Sequence, residues 1–454
     1  MRVMKFGGTS LGVPDNFRRA RDRVLREQAE GVVVVVSALS GVTNQLVEWC
    51  RSPAERPRLS REVAGRHRLH GTEVGVDPAS LDALLGAWEA EGHVGALGDA
   101  DRDHLLSYGE RFAAALFAAA LRGSGAEAAA VLAGDAGLVT DERFGAAHPL
   151  PEAGALVREK LGPLLARGVI PVVTGFLGRT RDGRTTTLGR GGSDFSASWI
   201  GAALEAEEIQ IWTDTSGMLS ADPRIVPEAR VVPRLSFAEA SELAYFGAKV
   251  LHPKTLLPAI DRNIPVRILN TAQPADAGSV IVPEPEPPGP AGWQVKSIAC
   301  KKGVTAITIV STRMLFAYGF LARVFEVFGR HHVVVDLVTT SEVSISVTVD
   351  DDARLERAIA DLEGIGRIEV RRGLAVVAVV GEGAPQKIGL AGHLFTLLGG
   401  VGVGVEMISQ GASRVNLSFV VREEDADRSV RLLHRGLGLD AEPAATAALG
   451  AWTS

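Results

Sequence analysis

Lys5 stands just before a glycine pair in VMKFGGTS, and Arg190 stands among glycines in LGRGGSD. Glycines let backbone N–H groups approach an anion closely, and a lysine adds a mobile positive charge. Both stretches therefore suit phosphate. The order is not that of the common phosphate loop, in which the lysine follows the last glycine and sits beside Ser or Thr. Here Lys5 comes first and Gly7 and Gly8 follow. The chain writes arginine at 40 of its 48 basic positions, and before residue 249 its only lysines are Lys5 and Lys160. A compact ammonium differs in chemistry from a planar guanidinium, so Lys5 at a strand end reads as functional. Further turns add polar groups: Ser37 and Thr43 in SALSGVTN, Glu110 in SYGER, Ser193 and Asp194 in GRGGSD, Thr213, Asp214 and Arg224 in TDTSGMLSADPR, and Lys249 in FGAKVLHP. Lys5, Arg190, Arg224 and Lys249 at one sheet edge would suit a polyanion such as a nucleoside triphosphate.

The elements that must position these residues alternate strand and helix from residue 1 to about 282. Val3–Phe6, Val32–Ser37, Val169–Thr174 and Ile209–Thr213 read as strands, and Leu105–Leu121 and Phe195–Leu204 as helices. Ser193 or Asp194 is expected to cap the helix that follows GRGGSD. Such alternation implies a largely parallel sheet covered on both faces, with ligands beyond the carboxyl ends of the strands. Every glycine-rich turn falls at such an end. The stretch VPEPEPPGPAGW reads as a stiff linker, because proline continues neither helix nor central strand.

After the linker one βαββαβ unit occurs twice, about 70 residues apart, in the order of a small split sandwich. Asp336 of the first copy corresponds to Glu406 of the second. The first copy closes near Ile368–Arg371, whereas the second has no clear last strand. An extra strand at Val295–Lys301 precedes both and is expected to complete the second copy's sheet. The expected domains are 1–282, a linker 283–293, a first copy 294–373 and a second copy 374–454.

The chain has 454 residues, 46% hydrophobic, with a formal net charge of −6. That balance argues against nucleic acid or an anionic membrane surface as partner. No run approaches the roughly 20 apolar residues of a membrane span, and no signal-peptide pattern opens the chain. Cys50 and Cys300 are far apart in the sequence, which suits a reducing compartment, the cytoplasm. No Cys/His cluster has zinc-ligand spacing, so no residue is assigned to a metal.

KFGGTS, SALSGVTN, SYGER, TLGRGGSD, WTDTSGMLSADPR and FGAKVLHP, in this order and followed by the duplicated unit, resemble the monofunctional aspartate kinases of the amino-acid kinase family. The resemblance covers essentially the whole chain. It implies an α/β amino-acid kinase fold followed by two ferredoxin-like ACT domains. It implies phosphorylation of the β-carboxylate of L-aspartate by ATP with Mg²⁺, the first step toward lysine, threonine and methionine. Lys5 and Asp194 would be catalytic. Ser37, Thr43, Glu110 and Arg190 would hold aspartate. Gly7, Gly8, Ser193, Thr213, Asp214, Arg224 and Lys249 would hold the nucleotide. The resemblance also implies a homodimer formed through the ACT domains and feedback inhibition by L-lysine. Met314, Gly319, Phe320, Leu321, Asp336, Thr340, Ser341 and Glu342 would contact that effector. The sequence departs from the family pattern at Leu219, where tyrosine is common near the adenosine. It departs again at Phe316, Ala317 and Tyr318, which replace more polar residues in the effector turn. A kinase acting on glutamate, N-acetylglutamate or carbamate is the nearest alternative, and a non-catalytic amino-acid sensor the next; SYGER, the ACT pair and the joint presence of Lys5, Glu110, Arg190 and Asp194 argue against them.

Overall fold

The computed structural model describes residues 1–91, 95, 97–247, 251, 253–283, 293–315, 317–350, 354–411 and 414–440. Two compact units emerge. The first comprises Met1–Met218, Pro233–Ser241 and Lys249–Pro285; the second comprises Leu219–Val232, Glu242–Ala248 and Glu286–Ser454. The expected boundary at residue 282 is thus crossed twice. The reason lies in hydrogen bonds from late residues to Leu219–Val232: Ile298 N–H donates to the Ser220 carbonyl at 2.9 Å, and Ser297 Oγ to the Leu219 carbonyl at 2.7 Å. The linker residues 284–292 lie outside the described residues.

In chain order the first unit holds β1 (Arg2–Phe6), α1 (Gly8–Gly12), α2 (Pro14–Glu27), β2 (Val32–Val36), α3 (Val42–Arg51), α4 (Arg56–Glu73), α5 (Asp82–Ala90), α6 (Asp99–Leu106), α7 (Tyr108–Gly123) and β3 (Ala128–Val131). It continues with α8 (Ala153–Ala166), β4 (Ile170–Thr174), β5 (Leu177–Arg179), β6 (Thr185–Thr187), α9 (Gly192–Leu204), β7 (Glu208–Thr213) and β8 (Arg234–Ser236). After α10 (Phe237–Tyr245), whose last turn is counted in the second unit, come α11 (Pro253–Asp261), β9 (Val266–Asn270) and β10 (Ser279–Val282). Eight strands form one sheet in the order β3-β4-β2-β1-β7-β9-β10-β8, parallel except where β10 runs against β9. β2 is five valines, all buried, paired on one side with β1 and on the other with β4. Such continuous burial requires helices on both faces, as expected for a parallel sheet. α2 starts with Pro14, whose fixed φ suits the first helical turn, and buries Phe17, Ala20 and Val24 along one stripe. The single helix expected over Leu105–Leu121 is broken at Ser107. The Ser107 N–H bonds back to Asp103 and His104, and α7 starts afresh at Tyr108.

The second unit contains β11 (Ser297–Val310), α12 (Phe320–Arg330), β12 (Val335–Thr340), β13 (Ser344–Asp350), α13 (Leu355–Glu363), β14 (Arg367–Val380), α14 (Leu390–Gly400), β15 (Met407–Ser409), β16 (Asn416–Arg422) and α15 (Glu423–Gly436). Its six antiparallel strands run in the order β12-β13-β11-β14-β16-β15. β11 and β14 are each 14 residues long and pair with each other along most of their length. Each bends at a glycine with positive φ: Gly303 at +72° in KKGV, and Gly373 at +68° in RRGL. At Gly303 the register shifts, as a glycine bulge allows. Residues before the bend in β11 pair with residues after the bend in β14, and the reverse. The first halves thereby serve as last strands and the second halves as first strands of the two repeats. Separate apolar cores fill the copies, one around Val324, Phe328 and Val347, the other around Leu394, Phe419 and Leu433.

Candidate active site

β1 delivers Lys5 between Val35 of β2 and Ile211 of β7, at the carboxyl edge of the sheet. The chain turns at once into α1, and the Gly7 N–H donates to the Trp212 carbonyl at 3.0 Å. Gly8 passes very close to the loop after β2. A Cβ there would lie 2.8 Å from the Ala38 carbonyl oxygen and 3.2 Å from the Ser40 nitrogen, so only glycine lets α1 and this loop touch. Opposite, β6 ends at Thr187 and the chain turns through Gly189, Arg190 and Gly191 into α9. Gly191, at φ +71°, occupies the helix N-cap. The expected cap by Ser193 or Asp194 does not form, because both residues already lie inside the first turn. A carboxylate in that turn is favoured by the helix dipole, and here it is Asp194.

Lys5 Nζ lies 2.6 Å from Asp194 Oδ1, with the two side chains 10% and 14% exposed. The pair sits in a cavity of about 440 Å³ that is also lined by Gly8, Ser37, Thr43, Glu110, Arg190 and Ser193. Eight of the residues singled out in the sequence thus meet at one place, from four separate segments. Gly7 adjoins them, since a Cβ on it would lie 3.5 Å from Lys5 Nζ.

Glu110, in the first turn of α7, is 3% exposed. Its Oε1 accepts the Ala38 N–H at 3.1 Å, while Oε2 has no hydrogen-bond partner among the described residues. Burial pushes its carboxyl up to about 8, against the lowering pull of the Ala38 N–H. Gly109 permits this approach, for a Cβ there would lie 2.7 Å from Ala38 Cβ. Arg190 is exposed and forms no ion pair among the described residues. The lining of the cavity therefore includes a buried acid with a free oxygen, a guanidinium without an ion pair among the described residues, and a lysine held by an aspartate. This arrangement can grip an ammonium and a carboxylate of one small molecule while presenting a cation to a phosphoryl group.

Thr213 and Asp214 lie at the end of β7, bonded to each other at 3.2 Å, and do not line this cavity. Arg224 belongs to the second unit, where its guanidinium chelates Asp222. Lys249 lies outside the described residues.

The effector residues named above fall in the second unit. Gly319, at φ +72°, is the N-cap of α12, and Met314 lies in the turn before it. Phe320 is buried in the core of the first copy, whereas Leu321 is exposed. Asp336 is buried, its side chain 1% exposed. Its Oδ2 accepts from Lys301 Nζ at 2.7 Å, and its Oδ1 accepts from the Tyr245 hydroxyl. Thr340, Ser341 and Glu342 are exposed around the β12–β13 turn, where the Ser341 and Ser344 hydroxyls lie 2.8 Å apart. Leu219 pairs in an isolated bridge with Val231 of the same unit. Phe316 lies outside the described residues.

Two residues at or beside the cavity escape a reading of the sequence. Phe176 lines it with a φ of +65°, a strained value for a bulky residue, and a Cβ on Gly192 would press on its ring at 2.7 Å. Only its place just after the strand-ending Gly175 hints at this. Asp103 is buried beneath the Arg190 turn, and no local signal marks it.

Residues 1–270 match the Amino acid kinase family, and residues 307–364 and 377–437 each match the ACT domain. The lysine-sensitive aspartokinase 3 of Escherichia coli (strain K12) is 37% identical over 458 residues, covering 96% of this chain and 98% of that protein. The crystal structure of E. coli aspartokinase III in complex with aspartate and ADP, described as the R-state, superposes with a TM-score of 0.81 at 35% identity, covering 96% of this chain and 99% of that one. The same enzyme in complex with lysine and aspartate, the T-state, superposes with a TM-score of 0.76 at 36% identity and the same coverage.

Proposed function

The chain belongs to the aspartokinases of the amino-acid kinase family, and from that premise we propose how its residues divide the work. It phosphorylates the β-carboxylate of L-aspartate with ATP, giving 4-phospho-L-aspartate and ADP. The acceptor oxygen is a carboxylate with a pKa near 4, already ionised at neutral pH, so no general base is required. Catalysis then consists of positioning and of neutralising charge on the phosphoryl group in flight. One β-carboxylate oxygen attacks the γ-phosphorus, the bond to the bridging oxygen breaks, and the electron pair leaves with ADP.

Glu110 takes the substrate ammonium on its free Oε2. Arg190 pairs its fork with a substrate carboxylate. Ser37 and Thr43 complete the aspartate pocket. Lys5 neutralises the transferring phosphoryl group, and Asp194 holds the Lys5 ammonium in place. Gly8 and Ser193 offer backbone and hydroxyl donors to phosphate, Gly7 lets the chain turn beside Lys5 with its own N–H given to the Trp212 carbonyl, and Thr213 and Asp214 continue the nucleotide site within the first unit; Arg224, held by Asp222, is not assigned to it. Mg²⁺ enters with ATP, as part of the substrate. The observation that carries this reading is the shared cavity: the unpartnered Glu110 oxygen, the free Arg190 and the Lys5–Asp194 pair all face one small volume. The direct test is ADP release from purified enzyme offered aspartate, glutamate and N-acetylglutamate separately. Turnover with aspartate alone is expected, and preference for either other acid would overturn the assignment of the pocket.

L-Lysine is the expected feedback effector, since the similar E. coli enzyme is lysine-sensitive and was solved with lysine bound. Met314, Gly319, Phe320, Leu321, Asp336, Thr340, Ser341 and Glu342 would frame its site, with Asp336 and Glu342 opposite its two ammonium groups. A homodimer through the first ACT copy is supported by exposed Leu315, Tyr318, Leu321 and Phe325 along one stretch of that copy. The free thiols of Cys50 and Cys300 fit a cytoplasmic enzyme.

A further inference from the structure

Asp103 is a carboxylate in α6 that is 2% exposed and has no cation against it among the contacts described for it. Its Oδ2 accepts the Thr187 N–H at 2.6 Å and the Gly145 N–H at 2.9 Å. Its Oδ1 accepts the Thr187 hydroxyl at 2.9 Å. Burial raises its pKa above the usual carboxylate range, and these donors offset that only in part. A buried carboxylate is costly unless its oxygens are satisfied, and here the donors come from two distant segments.

What those segments carry gives the contact its meaning. Thr187 is the last residue of β6, and the chain then runs through Leu188 and Gly189 to Arg190. Thr187 is gripped on three sides: Asp103 takes its N–H and its hydroxyl, and its carbonyl accepts the Ala147 N–H at 2.9 Å. Gly145 is held by the same Asp103 oxygen and backs onto the turn, since a Cβ on Gly189 would lie 3.1 Å from the Gly145 carbonyl. On its other side Asp103 belongs to the helix pair that bears Glu110: its own carbonyl accepts the Ser107 N–H at 3.1 Å, and α7 starts at the next residue. One side chain therefore fastens the element carrying the acid of the aspartate pocket to the turn carrying its guanidinium.

We propose that Asp103 is a positioning residue for aspartate, fixing the separation of Glu110 and Arg190 and thereby the length of amino acid that can span them. This rests on the reading of Glu110 and Arg190 as the grips for ammonium and carboxylate. In Asp103→Asn one carboxamide oxygen remains, but the amide NH₂ must replace an acceptor in front of backbone N–H or hydroxyl donors. The Arg190 turn loses its register with α7 while Lys5 and the nucleotide contacts keep theirs.

The experiment compares KM for aspartate, KM for ATP, and the ratio of kcat/KM for aspartate over glutamate in wild type, Asp103→Asn and Thr187→Val. Glu110→Gln and Arg190→Lys serve as references. For Asp103→Asn we expect a rise in aspartate KM of roughly tenfold or more, the scale of one lost charge-assisted hydrogen bond, with ATP KM within about twofold. The aspartate-over-glutamate ratio should fall with it. Thr187→Val removes only the hydroxyl donor and should shift aspartate KM in the same direction by less. It decides the matter if Asp103→Asn does not fold. Equal shifts in both KM values, or none, in whichever of the two folds would overturn the proposal while the two references still act on aspartate alone. If Glu110→Gln and Arg190→Lys themselves leave aspartate KM unchanged, the underlying assignment of the pocket fails, and this inference with it.

Discussion

Lys301 Nζ lies 2.7 Å from Asp336 Oδ2, and the Tyr245 hydroxyl occupies Oδ1, so the carboxylate expected to meet an effector ammonium is already taken by an ammonium of the chain itself. Lys301 also reaches Asp350 at 2.8 Å. A free lysine can pair with Asp336 only by displacing one of these partners, and its affinity is reduced by that competition. Lys301→Met should therefore lower the lysine concentration for half-inhibition by about tenfold, leaving turnover without lysine unchanged. Titration of ADP release with lysine checks this. An unchanged or raised midpoint would mean that Asp336 does not bind the effector through the oxygen Lys301 holds.

Lys5→Ala should remain folded and lose roughly 10² to 10³ in kcat, the usual effect of removing one donor that acts on charge developed during transfer. Asp194, 14% exposed, is then left without its cation, so the melting temperature should fall while the fold persists. Steady-state kinetics and circular dichroism together test this. Turnover within a few-fold of wild type would remove Lys5 from the catalytic role.

Glu110 gives the enzyme a pH signature. Its carboxyl is pushed by burial from 4.5 to about 8, so in the empty pocket it is mostly protonated at neutral pH. An ammonium pairs with the carboxylate, so aspartate affinity should rise with pH between about 6 and 8, approaching tenfold per unit, and level off above. Stability runs the other way in the empty enzyme. The folded state holds this proton more tightly than the unfolded one, so this contribution is present below 4.5 and is lost as pH rises through 8. Bound aspartate should accordingly raise the melting temperature more at pH 8 than at pH 6. Calorimetry in buffers of different ionisation enthalpy would register the released proton, and Glu110→Gln should bind weakly with no such slope.

Assembly is open to a simple measurement. Tyr318 is fully exposed and Leu321 partly so, at the start of α12. Replacing both with glutamate should convert a dimer into monomers at micromolar concentration, read by light scattering. A wild-type enzyme already monomeric there would leave these side chains without the role assigned to them.

What the sequence discloses here is local. Lys5 before its glycines, the helix entry after GRGGSD and the five valines of β2 each declare themselves within a few residues, because strand ends and glycine turns are short-range phenomena. The meeting of Asp103 with Thr187 spans 84 positions and that of Tyr245 with Asp336 spans 91, and neither has a local signature. The junction of α6 and α7 at Ser107 leaves no mark in the sequence either: the apolar period continues across it, and Ser107 keeps helical φ and ψ with its N–H shared between the Asp103 and His104 carbonyls. Arg224 reads as one more cation for phosphate, yet Asp222 two residues earlier already neutralises it.

The exchange of half-strands between β11 and β14 constrains how this regulatory pair can be inherited. Cutting the gene at the junction near Gly373 leaves the first copy all its strands but yields no autonomous second copy, for the portion after the cut would lack the strand Ser297–Lys302 and bare an open edge prone to mispairing. The second copy can be grafted onto another enzyme only with the segment that precedes the first, so it carries the first copy along as an insertion within its own sheet.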